Sequence, residues 1–145
     1  MTTPDDTTPV FLTRHDLADE SIGAELDAAM DTYISRYNLA WETICAGELE
    51  KGMEIYSELL DHDDLPLLIR ARASIDLAWT ENRWQDAERH FHNAEVAYRR
   101  MCQHVEPARL NEKWSLIISD LHELERDIAH YRLEESEENI EPEAP

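Results

Sequence analysis

Apolar side chains in this 145-residue chain return every three or four positions over most of its length, and only three glycines, Gly23, Gly47 and Gly52, are present to make sharp turns. That interval places side chains on one face of an α-helix, whereas a half-buried strand alternates every second residue. No stretch reads as a strand. The six prolines (Pro4, Pro9, Pro66, Pro107, Pro142 and Pro145) fall in the terminal segments or where a helix is expected to start, positions at which the missing N–H is least costly. The pattern predicts an all-α chain of about five helices.

Ile22, Leu26, Met30, Tyr33, Tyr37, Ala40, Trp41 and Ile44 describe one long amphipathic helix over about residues 19–46, stopped by Gly47. A second helix is expected over 49–60, ended by the polar run at 61–64. Asp64, ahead of Leu65 and Pro66, has the character of an N-cap with proline in the first turn, and opens a third helix over about 65–81. The fourth begins near Arg83 or Trp84 and continues to His104, and Pro107 starts the fifth.

The fifth helix carries its own pattern. Leu110, Trp114, Ile117, Leu121, Leu124, Ile128 and Tyr131 are spaced alternately by four and three, a three-heptad seam. Such a seam either lies in a groove of its own domain or pairs with a second copy as a homodimer. Ile118 widens the stripe and favours internal packing or a multi-helix interface.

A chain of this length forms one domain and buries roughly two thirds of its unfolded surface. Composition divides it into a flexible acidic leader (1–12), a single helical domain (13–133) and a disordered acidic tail (134–145). The 33 acidic residues against 13 basic ones give a net charge of −20. Direct capture of nucleic-acid phosphate is therefore disfavoured. Two cysteines, Cys45 and Cys102, form no disulfide framework, the N-terminus lacks the basic start and apolar run of a signal peptide, and no apolar run is long enough to span a bilayer. A cytoplasmic protein with no membrane partner is expected.

Shifted by 35 residues, the chain aligns with itself: Ala40 with Ile75, Ile44 with Trp79, Gly47 with Asn82, Leu49 with Trp84, Gly52 with Ala87, Tyr56 with Phe91 and Leu59 with Ala94. Gly47 and Asn82 are the residue types that most readily turn left-handed between antiparallel helices. Gly52 and Ala87 are small enough for a tight helix crossing, and an aromatic follows each by four residues. On these residues the stretches LAWETICAGELEKGMEIYSEL and IDLAWTENRWQDAERHFHNA resemble tetratricopeptide repeats, over about residues 35–100. The usual Leu-Gly pair of the first helix is Leu39-Ala40 in one unit and Ser74-Ile75 in the other, and no third unit is visible. The resemblance implies two helical hairpins, with the long N-terminal and C-terminal helices as caps or a dimer interface. It also implies a partner-binding groove lined by the first helices, at Asn38, Trp41, Glu42 and Cys45, then Arg72, Ala73, Asp76 and Thr80. An Asn and an Arg suit a carboxylate, but no cluster of Lys and Arg surrounds them.

The residues offer little for catalysis. Of seven histidines, only His130 with Asp127 approximates the spacing of a bundle metal site, and no phosphate loop, nucleophile elbow or metalloprotease motif is present. Neither a cofactor nor a metal is expected. The expected function is a non-enzymatic adaptor or chaperone that binds a peptide, helix or basic surface of another protein. Two other readings stand beside it: an acidic nucleic-acid mimic that inhibits a DNA- or RNA-binding protein, and a structural subunit assembled through the fifth helix.

Overall fold

A computed structural model of the chain describes residues 11–13, 16–17, 24–106, 110 and 112–138. Five α-helices follow one another: α1 (Ala24–Cys45), α2 (Leu49–Leu60), α3 (Leu67–Thr80), α4 (Trp84–His104) and α5 (Glu112–Glu138). No strand occurs among the described residues. The start expected for α1 near residue 19 lies outside the described residues.

The turn from α1 to α2 depends on Gly47, whose φ of +91° is the only positive value among the described residues. Its N–H donates to the Ile44 carbonyl (2.9 Å) and the Glu48 N–H to the Thr43 carbonyl (3.1 Å), the paired bonds that close a helix through a left-handed residue. The helices then run antiparallel in close contact. A Cβ on Gly52 would sit 3.0 Å from the Ala40 carbonyl oxygen and against the Ile44 side chain. Further along, the Tyr37 and Tyr56 rings lie 5.7 Å apart and Arg36 pairs with Glu58.

The turn from α3 to α4 works differently from the one expected. Asn82 is not left-handed, because α3 is stopped by Glu81 swinging into extended backbone (φ −71°, ψ 143°), and Arg83 is extended as well. The Glu81 carboxylate lies 3.1 Å from His90 Nε2, which ties the turn to α4. The start of α3 also differs. Pro66 precedes the helix in extended conformation, and Asp64 does not cap it: its carboxylate accepts the Tyr33 hydroxyl at 2.5 Å.

Four of the seven pairs aligned by the 35-residue shift are buried in both hairpins, Ala40 with Ile75, Gly52 with Ala87, Tyr56 with Phe91 and Leu59 with Ala94, whereas Ile44 is buried against a half-buried Trp79 and Leu49 is exposed where Trp84 is half-buried. α3 lies at its centre, packed against α4, α2, α5 and α1, and every residue from 71 to 78 is buried. α5 lies antiparallel to α4, with Trp114 beside Tyr98 at one end and Arg132 at the other, where it pairs with Glu88 and stacks 4.7 Å from the Trp84 ring.

Trp114, Ile117, Leu121, Leu124 and Ile128 belong to the same core and Leu110 packs against it. Only Tyr131 of the seam is exposed. The chain therefore consumes its own heptad stripe, and a dimer through it would require α5 to leave α4. α5 also continues to Glu138, beyond the boundary expected at 133. Its last turns are solvated but helical, since Glu and Leu are good helix formers and Glu134 pairs with His130 one turn earlier at 3.0 Å. The rest of the expected tail lies outside the described residues.

Candidate functional site

α3 carries an ion pair in the middle of the core. Arg72 and Asp76 are 5% and 3% exposed, one helical turn apart, and joined by two hydrogen bonds at 3.3 and 3.1 Å. The other Asp76 oxygen accepts the hydroxyls of Tyr37 from α1 and Tyr56 from α2, each at 2.8 Å. Arg72 reaches α5 through Asp120 at 2.5 Å. Four helices thus meet on one carboxylate–guanidinium pair. Burial, and then the Asp76 charge, push the tyrosine hydroxyls well above their ordinary pKa, so both are neutral donors. Burial alone would lower Arg72, but the Asp76 and Asp120 carboxylates more than offset it and keep the guanidinium charged.

This changes the role of the residues expected to line a groove. Arg72 and Asp76 are enclosed and saturated by each other, so neither is presented to a ligand. Their pairing follows from the company they keep: a helix apolar on all sides must satisfy its charges internally. Thr80 is half-buried and donates to the Leu77 carbonyl (2.9 Å). Ala73 is buried, and Trp41 is 5% exposed with an indole N–H that finds no acceptor among the described residues. Glu42 and Cys45 are exposed.

Asn38 is already engaged. Its side-chain oxygen accepts the Leu12 N–H (3.1 Å) and its side-chain nitrogen donates to the Leu12 carbonyl (3.2 Å), a two-way grip on the main chain of one residue. The Phe11 carbonyl accepts Lys113 Nζ from α5 at 3.0 Å. Residues 11–13 therefore bridge α1 and α5, the helices on either side of α3. Leu12 and Leu17 are 2% and 0% exposed and belong to the core, while Phe11 is 42% exposed. Between the leucines, the Asp16 carboxylate accepts both the N–H and the hydroxyl of Thr13, and the Asp16 N–H returns to the Thr13 carbonyl. The carboxylate-to-N–H bond is one half of a capping box and opens a short helical turn, with the Thr13 hydroxyl donating to the same carboxylate. The leader boundary expected at residue 12 is corrected accordingly: Leu12 is part of the packed structure. A Thr-x-x-Asp signature followed by leucine was the signal available for it.

We call this α1–α5 seat and its occupant the candidate site. Elsewhere, a shallow cleft is lined by Trp84, Arg132, Glu135 and Ser136. Among the described residues no group of three His, Cys, Asp or Glu side chains is placed to hold a metal ion, and no helix is long and apolar enough to cross a membrane. No protein-family model, curated protein or solved structure matches the chain.

Proposed function

We propose that the chain is a non-enzymatic protein-interaction module of the tetratricopeptide-like kind, an adaptor or chaperone whose α1–α5 face takes an extended segment of another protein. The observation that carries this reading is the seat itself, where Asn38 and Lys113 hold the main chain of residues 11 and 12 while Leu12 and Leu17 are buried. Main-chain recognition at such a face tolerates varied sequences, and buried leucines select among them. The tight crossing at Gly52 and the matching burial of Tyr56 and Phe91 support the repeat resemblance. The net charge of −20 speeds encounter with a basic partner and makes the rate fall with salt.

Affinity capture with the full chain, compared with its Asn38→Asp variant, tests the reading in a cytoplasmic extract. A defined client retained by the wild type and lost from the folded variant supports it. Recovery of nucleic-acid-binding proteins, undiminished by Asn38→Asp and removed by salt, would replace it with mimicry.

A further inference from the structure

The outward faces of α2 and α4 differ in charge. On α4 the exposed stripe runs through Arg89, His92, Val96, Arg99, Arg100 and Gln103, and no carboxylate lies in it. The three acids of that helix, Asp86, Glu88 and Glu95, are half-buried along the edges of the stripe, where Arg89, Arg132 and Arg99 pair with them. On α2 the exposed stripe is Glu50, Glu54, Ser57 and Asp61, within a stretch (48–64) that holds seven acidic residues against one lysine, Lys51. Glu50, Glu54, Asp61 and Arg100 have no ion-pair partner among the described residues. We propose that the α4 stripe of one copy docks on the α2 stripe of a second, a head-to-tail contact between identical chains. It uses no residue of the α1–α5 seat and does not depend on the interaction-module reading.

Spacing supports the match. Arg89 and Arg100 are eleven residues apart, as are Glu50 and Asp61, and eleven residues make three helical turns that return to one face after about 16 Å. Laid side by side in either direction, the two stripes set arginine against carboxylate at both ends, and Asn93 and Val96 between them meet Glu54 and Ser57. Because the two faces differ, each copy keeps one free face of each kind, so the contact builds rows or rings and not a closed pair. A contact three turns long is of the weak, transient class, with a dissociation constant on the order of a millimolar. The net charge of −20 opposes the meeting of two copies, but that repulsion is long-ranged whereas the matched pairs act at contact. The Debye length is about 30 Å at 10 mM salt, about 8 Å near 150 mM and about 3 Å at 1 M. Salt near 150 mM therefore screens the bodies more than the pairs, and 1 M salt weakens both, so association is strongest between the extremes.

Sedimentation equilibrium of the full chain tests this. Near 150 mM salt the weight-average mass should rise at least about 1.5-fold as the protein approaches about a millimolar, and less at 10 mM or 1 M. Two double variants, Arg89→Glu with Arg100→Glu and Glu50→Arg with Asp61→Arg, change only exposed side chains, and circular dichroism checks that each keeps its helices. Each alone sets like charge against like and should stay monomeric. Mixed in equal amounts they should associate again, since the acidic α2 of the first meets the basic α4 of the second, and the reversed faces meet likewise. Both variants remain strongly acidic overall, so general attraction between oppositely charged proteins does not produce that recovery. A wild type that is monomeric at all three salt concentrations would overturn the proposal. So would association that survives in either variant alone, or variants that stay monomeric when mixed.

Discussion

Replacing Asp76 with asparagine should be among the most damaging single changes available to this chain. The aspartate accepts four hydrogen bonds from three side chains on three helices. An asparagine of the same shape can accept from the tyrosines through its oxygen, but turns an NH2 group toward Arg72, setting donor against donor. Arg72 would then keep Asp120 as its one carboxylate partner, on the side of the guanidinium where Asp120 is 25% exposed. Breaking a buried ion pair by removing one partner costs about 3–5 kcal/mol, against a total of about 5–15 kcal/mol for a typical domain. Tyr37→Phe and Tyr56→Phe each remove one bond to a charged acceptor, about 1.5–3 kcal/mol. The combined Tyr37→Phe, Tyr56→Phe, Arg72→Met, Asp76→Leu variant leaves only Asp120, at the solvent edge, and should lie closer to wild type than Asp76→Asn alone. Urea unfolding followed by circular dichroism measures all four. A loss below about 1 kcal/mol for Asp76→Asn, with unchanged cooperativity, would refute the view that the network carries a desolvated charge.

The same tyrosines make the protein alkali-sensitive. Their folded pKa values lie above the unfolded value near 10, so above about pH 10 the unfolded chain releases protons that the folded chain retains, and stability falls by roughly 1.4 kcal/mol per pH unit for each; tyrosinate absorbance rising in step with the loss of helix would show it, and full titration of all tyrosines before unfolding would contradict it. Tyr33, which Asp64 and burial push up to about 12, adds to the slope only between about pH 10 and 12. Gly52→Ala should destabilise by about 1–3 kcal/mol despite alanine's better helix propensity, because its Cβ meets Ile44 and the Ala40 carbonyl; a thermal midpoint equal to wild type would mean that α1 and α2 yield there. Leu121→Asp with Ile128→Asp should unfold the α4–α5 packing outright, since both side chains are buried within the chain; a folded protein with a changed sedimentation coefficient would instead restore the seam as an interface between copies.

The elements that sequence placed best are those where one residue type leaves the backbone a single option. Gly47 has no competitor for the left-handed turn, and α2 therefore begins and ends at the residues expected. Gly52 marks a crossing because a Cβ there meets the Ile44 side chain and the Ala40 carbonyl. Asn82 shows the opposite case: asparagine tolerates left-handed backbone without requiring it, and the α3–α4 turn was closed by extended residues instead. Arg72 and Asp76 are hard to place from sequence for a reason of scale. An Arg–Asp pair one turn apart is ordinarily a solvated pair on a helix surface, and only the apolar residues on every side of it (Ala71, Ala73, Ile75, Leu77 and Ala78) signal burial of the whole helix. Leu12 is obscured by the acidic, proline-bearing stretch before it, where composition outweighs one leucine and a Thr-x-x-Asp turn.

The network and the seat share α1 and α5 but differ in how firmly they are held. Tyr37 enters the network and its neighbour Asn38 grips the segment, while on α5 Asp120 pairs with Arg72 and Lys113 reaches Phe11. The network joins helices through bonds to ionised groups that are buried except at the Asp120 edge, each worth more than its surface counterpart, and opening it exposes the core around α3. The segment contributes two leucines and three main-chain bonds, of which the Lys113 contact is exposed. Local opening begins where the fewest buried contacts must be broken. In this chain the exposed last turns of α5 and the exposed Lys113 contact are such places, while the frame set by Asp76 holds α1, α2, α3 and α5 together.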